Sequence, residues 1–460
     1  MICIIIKKDS DSPLFLRGRG AVGAAIVVRI LKLSQLSSAE RAKLQKRAEL
    51  DIDNALKVAQ TVIETIRERG DAGVVDYVRR FDYEGATVEN IKVSEAEFER
   101  AFHLIEPEVK TAIEQAFRNI QEVHRRQMPE ETLLAEIETG VFAGEKISPI
   151  PNVGLYVPRG RGAFPSMMLM LAIPAMVAGV ERVVVCTPPD KQGNVEPVSL
   201  VAAQMAGVRE IYKLGGVQAI AALALGTKNI KRVDKITGPC SVYGAAAKRL
   251  LFGTVDVGLP AGPSESIVLA DESTDARLAA LDLLIEAEHG ADSAALLVTH
   301  CEDLAIAASE YAQEYLQKLP DWRREFCEAG LAAYGGIILT DSLQQSLDFV
   351  NEYAPEHLEV LVSNPFAILG KIKNAGEILL GNHTPSSMAT YAIGVNAVLP
   401  TGSFARSYSA VSVYDFLKRS TLAYVTPEGF EKLKETTKTL AEYEGFPAHK
   451  LAIQHREILL

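Results

Sequence analysis

Two stretches of this 460-residue chain pair a carboxylate with an imidazole. In the first, Glu356 and His357 follow Pro355 and open the apolar run Leu358, Val360, Leu361, Val362. Proline has a fixed φ and no N–H, so Pro355 belongs in a loop or at the start of a strand. Glu356 and His357 are therefore expected at a loop-to-strand junction, held firmly and able to reach a cleft. Histidine titrates near neutral pH and a glutamate can be tuned towards it, so the pair can divide proton transfer and water activation. A salt-bridged surface pair is the alternative for a Glu-His dipeptide taken alone. In the second stretch, Glu286 and His289 close an apolar-periodic segment that begins near Asp275. Three apart on a helix, they share a face. An oxygen and a nitrogen at that spacing can be two ligands of one divalent metal. Gly290 then reads as the helix stop.

Positioning these side chains requires strands and helices in alternation. Between Pro149 and Gly258, strands are expected at Val153–Val157, Arg182–Cys186, Glu210–Leu214 and Val233–Ile236. Ala-rich helices begin between them near Pro165, Pro197, Gln218 and Val242. A second unit carries strands near Ser266–Leu269, Ala294–Val298, Gly336–Leu339, His357–Val362 and Ile378–Leu380. This pattern predicts an α/β protein with two doubly wound, mostly parallel-sheet, Rossmann-like domains. In such sheets ligands are expected beyond the carboxyl ends of the strands. A charged helical layer precedes them, with helices from Ser38, over Ile52–Arg69 and over Glu95–Gln127, and a helical tail follows from about Ala405. The expected division is an extension over 1–35, a catalytic domain from 36–152 and 260–404, a second α/β domain over 153–259, and a tail over 405–460.

The extension holds Gly18, Gly20 and Gly23 in the G-x-G-x-x-G spacing of dinucleotide loops. That fingerprint needs a strand before it and a βαβ unit after it. Leu14–Leu16 is short and the following segments are charged and helical, so an extension with little fixed structure is the better reading. A different loop, Pro158 to Ser166, carries Arg159 and Arg161 into a helix, where backbone N–H groups could hold a pyrophosphate; a simple turn is the alternative.

With 48 basic against 59 acidic residues the net charge is −11, which argues against a nucleic-acid partner. Five scattered cysteines fit a reducing cytoplasm and give no disulfide framework. Apolar runs are too short to span a membrane, and Met167–Val177 contains Pro174.

Residues 36–460 resemble the histidinol dehydrogenase family. The likeness is carried by Val153–Pro158, Gly215–Leu223, Ala245–Arg249, Pro260–Glu265, Ala287–His289, Ala354–Glu359, Asn396–Thr401 and Glu444–His449. It implies NAD-dependent oxidation of an alcohol, through an aldehyde to a carboxylate. By the resemblance Glu356 and His357 are the acid/base pair, the histidine taking protons and the glutamate activating water. Ser264 matches a substrate contact, as do Glu444 and His449, which cross a dimer interface in the family. Tyr156 and Gln218 match cofactor contacts, and Ser241 sits in a third cofactor segment. The family's zinc ligands (glutamine, histidine, aspartate and a histidine from the neighbouring subunit) fall at Glu286, His289, Thr390 and His449. A homodimer with shared sites follows.

Departures from the family pattern fall in the metal, substrate and cofactor shells. Threonine at 390 replaces an aspartate ligand, while Glu286 replaces a neutral glutamine, so the ligand charge is moved and not lost. His383 is a candidate substitute donor if its loop folds inward. Ala397 stands where the family has an imidazole, and Cys240-Ser241 where it has Gly-Asn. These changes predict a small polar alcohol other than histidinol as substrate. A genuine histidinol dehydrogenase and an inactive homologue are the alternatives.

Overall fold

The computed structural model describes residues 28–47, 52–159 and 162–459. The Gly18–Gly23 motif, Gly160 and Arg161 lie outside them. Thirteen strands occur among the described residues: β1 (Ile30–Lys32), β2 (Thr132–Glu138), β3 (Val141–Pro149), β4 (Asn152–Tyr156), β5 (Arg182–Cys186), β6 (Glu210–Tyr212), β7 (Lys235–Thr237), β8 (Glu265–Ala270), β9 (Ala294–Thr299), β10 (Gly336–Leu339), β11 (His357–Leu361), β12 (Glu377–Leu380) and β13 (Leu417–Val425).

Two parallel sheets form the body. One has four strands in the order β6-β5-β4-β7, the other six in the order β1-β10-β9-β8-β11-β12. Their strands read as near-continuous Val/Ile/Leu runs because both faces are covered. In the larger sheet, alternation sorts the side chains cleanly. Val268, Leu297 and Leu361 meet the helices Ala276–Ala287, Glu302–Leu316 and Asp321–Ala333, whereas Ile267, Leu296, Leu358 and Val360 meet the helix Leu343–Tyr353. Helices on both faces make this the doubly wound arrangement expected from the strand–helix alternation.

The helical lead-in packs on the four-stranded unit. Ile52–Arg69 and Asp71–Phe81 share a core with Leu214, Ala219 and Ala247, while Glu95–Leu104 and Pro107–Gln127 bury Phe98 and Ile120 beside Leu169 and Ile173. The single helix expected over Glu95–Gln127 is two, because Ile105 and Glu106 are extended and Pro107 begins a new one.

Two further expectations are corrected. Residues 1–35 were expected to lack fixed structure, yet β1 joins the edge of the six-stranded sheet, in parallel register with β10 from Ile30 opposite Ile337. The tail after Ala405 was expected to be helical, yet β13 pairs antiparallel with β3 along all of Leu417–Val425. The hairpin of β2 and β3 leaves one edge of β3 unpaired, and β13 satisfies its N–H and C=O groups. After β13 come the helices Pro427–Tyr443 and Pro447–Leu459. This arm leaves much apolar surface open: every residue of β2 is exposed, as are Phe446, Leu451, Ile458, Leu459 and, at 90 %, Tyr443.

One polar contact fixes the loop that carries Asn396. His124, fully buried on Pro107–Gln127, has Nε2 3.3 Å from Nδ2 of Asn396, which donates to the Met170 carbonyl at 2.7 Å. Burial pushes the His124 imidazole down to about 4. An unfolded chain binds this proton near pH 6.5, the folded one only near 4, so stability is present above 6.5 and falls as pH drops towards 4. The loss at this one residue is about 3 kcal/mol. Denaturant titrations of the wild-type protein and a His124→Gln variant should differ by that extra pH dependence; parallel curves would refute it.

Candidate active site

The site forms at the amino ends of the six-stranded sheet. Ser264 immediately precedes β8, Glu356 immediately precedes β11, His357 is the first residue of β11 and Glu377 the first of β12. The expectation of a site beyond the carboxyl ends fails for this sheet. The helix Ala276–Ala287 follows β8 and runs back against it, so its C-terminal turn, with Glu286, returns to the amino ends.

Backbone geometry holds the Glu356-His357 dipeptide rigidly. Ala354 caps Leu343–Tyr353 in the left-handed region at φ 53°, a conformation that costs a non-glycine residue about 1–2 kcal/mol. Pro355 follows, and its carbonyl accepts from Gly376 N–H at 2.9 Å, while the Glu356 carbonyl accepts from Glu377 N–H at 3.0 Å. A Cβ at Gly376 would lie 2.6 Å from the Glu356 carbonyl oxygen, so only glycine lets the strands approach this closely.

His357 is buried and ringed by acids. Its Nδ1 is 2.5 Å from Glu377 Oε1, and its Nε2 lies 3.8 Å from Glu356 Oε1 and 3.9 Å from Glu286 Oε1. Burial opposes charge on the ring, but Glu286, Glu356 and Glu377 together hold its pKa well above the usual histidine value. Burial drives the Glu356 carboxyl the other way, up to about 8, against the pull of His357. Its Oε2 accepts from Glu265 N–H at 2.9 Å, and Glu265 in turn pairs with buried Arg47 at 2.7 Å and accepts from Gly402 N–H at 2.7 Å. Arg47 also stacks over the Tyr353 ring at 3.8 Å, tying the helical lead-in to the acid behind Glu356.

Glu286 is the second hub. Its Oε1 accepts from Ser386 Oγ at 2.9 Å, and its Oε2 lies 3.1 Å from His289 Nδ1, which is 3.0 Å from Ser264 Oγ. Ser386 N–H donates to Glu359 Oε1 at 2.8 Å. Burial and then the neighbouring Asp282 push the Glu359 carboxyl up to about 9.

The structure therefore brings together Ser264, Glu286, His289, Glu356 and His357 from three separate stretches. Thr390 lies half-buried in the wide helical turn Ala389–Ile393, which continues from the Ser386–Met388 helix. Glu444 and His449 are exposed on the arm, at the end of Pro427–Tyr443 and within Pro447–Leu459. His383 is exposed in its loop, so the inward fold that would make it a metal donor does not occur. Glu377, Glu265, Arg47, Ser386 and Asp282 were not anticipated. Glu377 had a signal: a carboxylate after a glycine, directly before the apolar run Ile378–Leu380.

The cofactor candidates gather at the other sheet, at its carboxyl ends. Tyr156 ends β4, Gly215 and Gln218 follow β6, and Ser241 follows β7. Tyr156 is buried, its hydroxyl accepting from Gly216 N–H at 3.0 Å; Gln218 is buried and donates to Asp82 Oδ2 at 2.9 Å. Ser241 is exposed at the N-cap of Val242–Leu251, where its side chain caps nothing. A Cβ at Gly238 would meet the Tyr156 carbonyl oxygen at 2.1 Å, so the loop leading to Ser241 rests directly on β4. Arg159 donates to the Asn194 carbonyl at 3.3 Å.

The histidinol dehydrogenase family profile matches residues 45–457. The chain belongs to that family, whose members are NAD-dependent oxidoreductases acting on CH–OH groups. It is 70% identical to a histidinol dehydrogenase of Synechocystis sp. over 434 residues, covering 94% of this chain and all of the relative. It is 48% identical to a histidinol dehydrogenase homolog of Cereibacter sphaeroides, over 93% of this chain and 98% of that one. Among solved structures, a histidinol dehydrogenase from Elizabethkingia anophelis superposes with a TM-score of 0.88 at 35% identity, covering 95% of this chain and 99% of the other.

The family uses zinc, and the donors present fit part of such a site. Two ligands of a tetrahedral zinc stand about 3.3 Å apart; Glu286 Oε2 and His289 Nδ1 are 3.1 Å apart, and that buried oxygen has no hydrogen bond. Among the described residues no group of three His, Cys, Asp or Glu side chains is arranged to hold a metal. Further donors would have to come from outside this pair, and Thr390 and His449 are the positions that match the family's other ligands. Elemental analysis of protein purified without chelator should find about one divalent ion per subunit. Glu286→Ala and His289→Ala should each lower that content; metal-free wild-type protein would refute the site.

Proposed function

We propose that this protein oxidises L-histidinol with NAD, through the aldehyde to the carboxylate, using Glu356 and His357. The observation that carries this reading is the buried pair itself: an imidazole whose Nδ1 is fixed by one acid, beside a carboxyl with a pKa raised towards neutrality. Once its ring is neutral, His357 Nε2 takes the hydroxyl proton of the alcohol and, later, that of the hydrated aldehyde. Glu356 accepts the proton of the water that adds to the aldehyde, a task suited to a base with a pKa near the working pH. NAD, when bound, accepts the hydride released in each oxidation. A divalent ion held by Glu286 and His289 would supply Lewis acidity at the substrate oxygen. Ser264 would contact the substrate, a role supported by its Oγ lying 3.0 Å from His289 Nδ1.

The sequence favoured a different alcohol because of Thr390 and Ala397. A relative 70% identical along its whole length bears the name histidinol dehydrogenase, and this moves the reading to histidinol. Another small polar alcohol is the second reading. It is favoured by Ala397, which packs against the apolar core where the family presents an imidazole.

We further propose a homodimer in which Glu444 and His449 of one arm complete the partner's site. The exposed apolar residues of the arm support it, since exposed apolar patches often mark protein–protein contacts. No helix among the described residues is long and apolar enough to cross a membrane. The described cysteines are free, as a reducing cytoplasm would keep them.

NADH formation should be measured against histidinol and a panel of small polar alcohols. Histidinol should be turned over best, and His357→Ala should lower turnover by about 10²–10⁴-fold with cofactor affinity kept. A preference for another alcohol would establish the second reading; no NADH with any of them would refute both. In sedimentation at micromolar concentration the protein should run as a dimer, and a monomer would refute the shared site.

A further inference from the structure

We propose that Glu377 is a positioning residue for His357: its carboxylate holds the imidazole in the Nδ1–H tautomer, leaving Nε2 as the atom that accepts the substrate proton. The inference rests on the reading of His357 as proton acceptor and names the group on which that role depends.

Three observations carry it. First, His357 and Glu377 are register partners at the first positions of adjacent parallel strands, so their side chains rise on the same face. The Gly376–Pro355 and Glu377–Glu356 backbone hydrogen bonds clamp this register at the site itself. Second, the contact is directional: Glu377 Oε1 meets Nδ1 at 2.5 Å, while Nε2 faces Glu356 and Glu286 across an open 3.8–3.9 Å. A carboxylate only accepts, so the ring nitrogen facing it must carry hydrogen. Third, the fold has no other use for this acid. Glu377 is 9% exposed, and its Oε2 has no hydrogen-bond partner among the described residues. Burying a carboxylate is costly unless it is paired, and the imidazole is the pairing seen. In a strand otherwise built as Ile378, Leu379 and Leu380, an apolar residue would pack at lower cost.

A neutral imidazole in the other tautomer would point a hydrogen from Nε2 at the substrate oxygen and could not accept its proton. Glu377 excludes that state, and it braces the imidazolium once Nε2 has taken the proton.

The test compares wild-type protein, Glu377→Leu, Glu377→Gln and His357→Ala, with histidinol as substrate, thermal melting as a folding control, and long-range ¹H–¹⁵N spectra of histidine-labelled protein. Glu377→Leu should lower kcat by about 10²-fold or more, as expected when a base loses its orienting acid. KM for NAD and the melting temperature should change little, and the His357 signals should lose their Nδ1–H pattern. Glu377→Gln can face Nδ1 with oxygen or nitrogen, so it should give a mixed tautomer pattern and an intermediate kcat. If Glu377→Leu does not fold, Glu377→Gln decides: an unchanged tautomer pattern with unchanged kcat overturns the proposal. So does a Glu377→Leu variant with wild-type kcat when His357→Ala is inactive. If His357→Ala itself turns over normally, the underlying catalytic reading fails instead. The tautomer spectra report on Glu377 even if histidinol proves not to be the substrate.

Discussion

An imidazole buried in a ring of carboxylates is the interaction on which the candidate site at the six-stranded sheet depends. Taken out of water, His357, Glu286 and Glu356 would each lose their charged forms; the opposite charges offset part of that cost. The compensation requires spacing. Asp282 and Glu286 are one helical turn apart, about 6 Å along the axis; His357 and Glu359 are one pleat apart, also between 6 and 7 Å or roughly so. The helix and strand can therefore match residue for residue, Glu286 beside His357 and Asp282 beside Glu359. Ser386 bridges the two pairs, donating its hydroxyl to Glu286 and its N–H to Glu359. The acids are linked through His357 and Ser386, so the whole face is constrained together.

The remaining architecture serves to bring chain segments to that face. The strained Ala354, the proline after it and the glycine at 376 fix where Glu356 and His357 enter the sheet. Arg47 reaches in from the helical lead-in to Glu265, which supports Glu356 through its N–H. The loop of Asn396 is pinned to the buried His124. The two parallel sheets present opposite ends: the cofactor candidates lie at carboxyl ends, Glu356 and His357 at amino ends. A helix returning from β8 explains the second placement, because it carries Glu286 back to the start of the strand it follows.

Much of this was legible in the sequence, and the reasons are physical. Alternating apolar strands and Ala-rich helices determined two parallel sheets, since a strand buried on both faces must be apolar throughout. Pro355 determined that Glu356 and His357 would start a strand. The three-residue spacing of Glu286 and His289 determined a common face. Tertiary structure alone decided the rest. That Ser264, 92 residues before Glu356, belongs to the same cluster follows from β8 and β11 being neighbours, which local pattern does not specify. Glu377 becomes a partner of His357 only through strand register, and register is set by pairing across the sheet. β1 and β13 escaped the sequence reading because each is an edge strand, defined by the unpaired backbone of its neighbour and not by its own side chains.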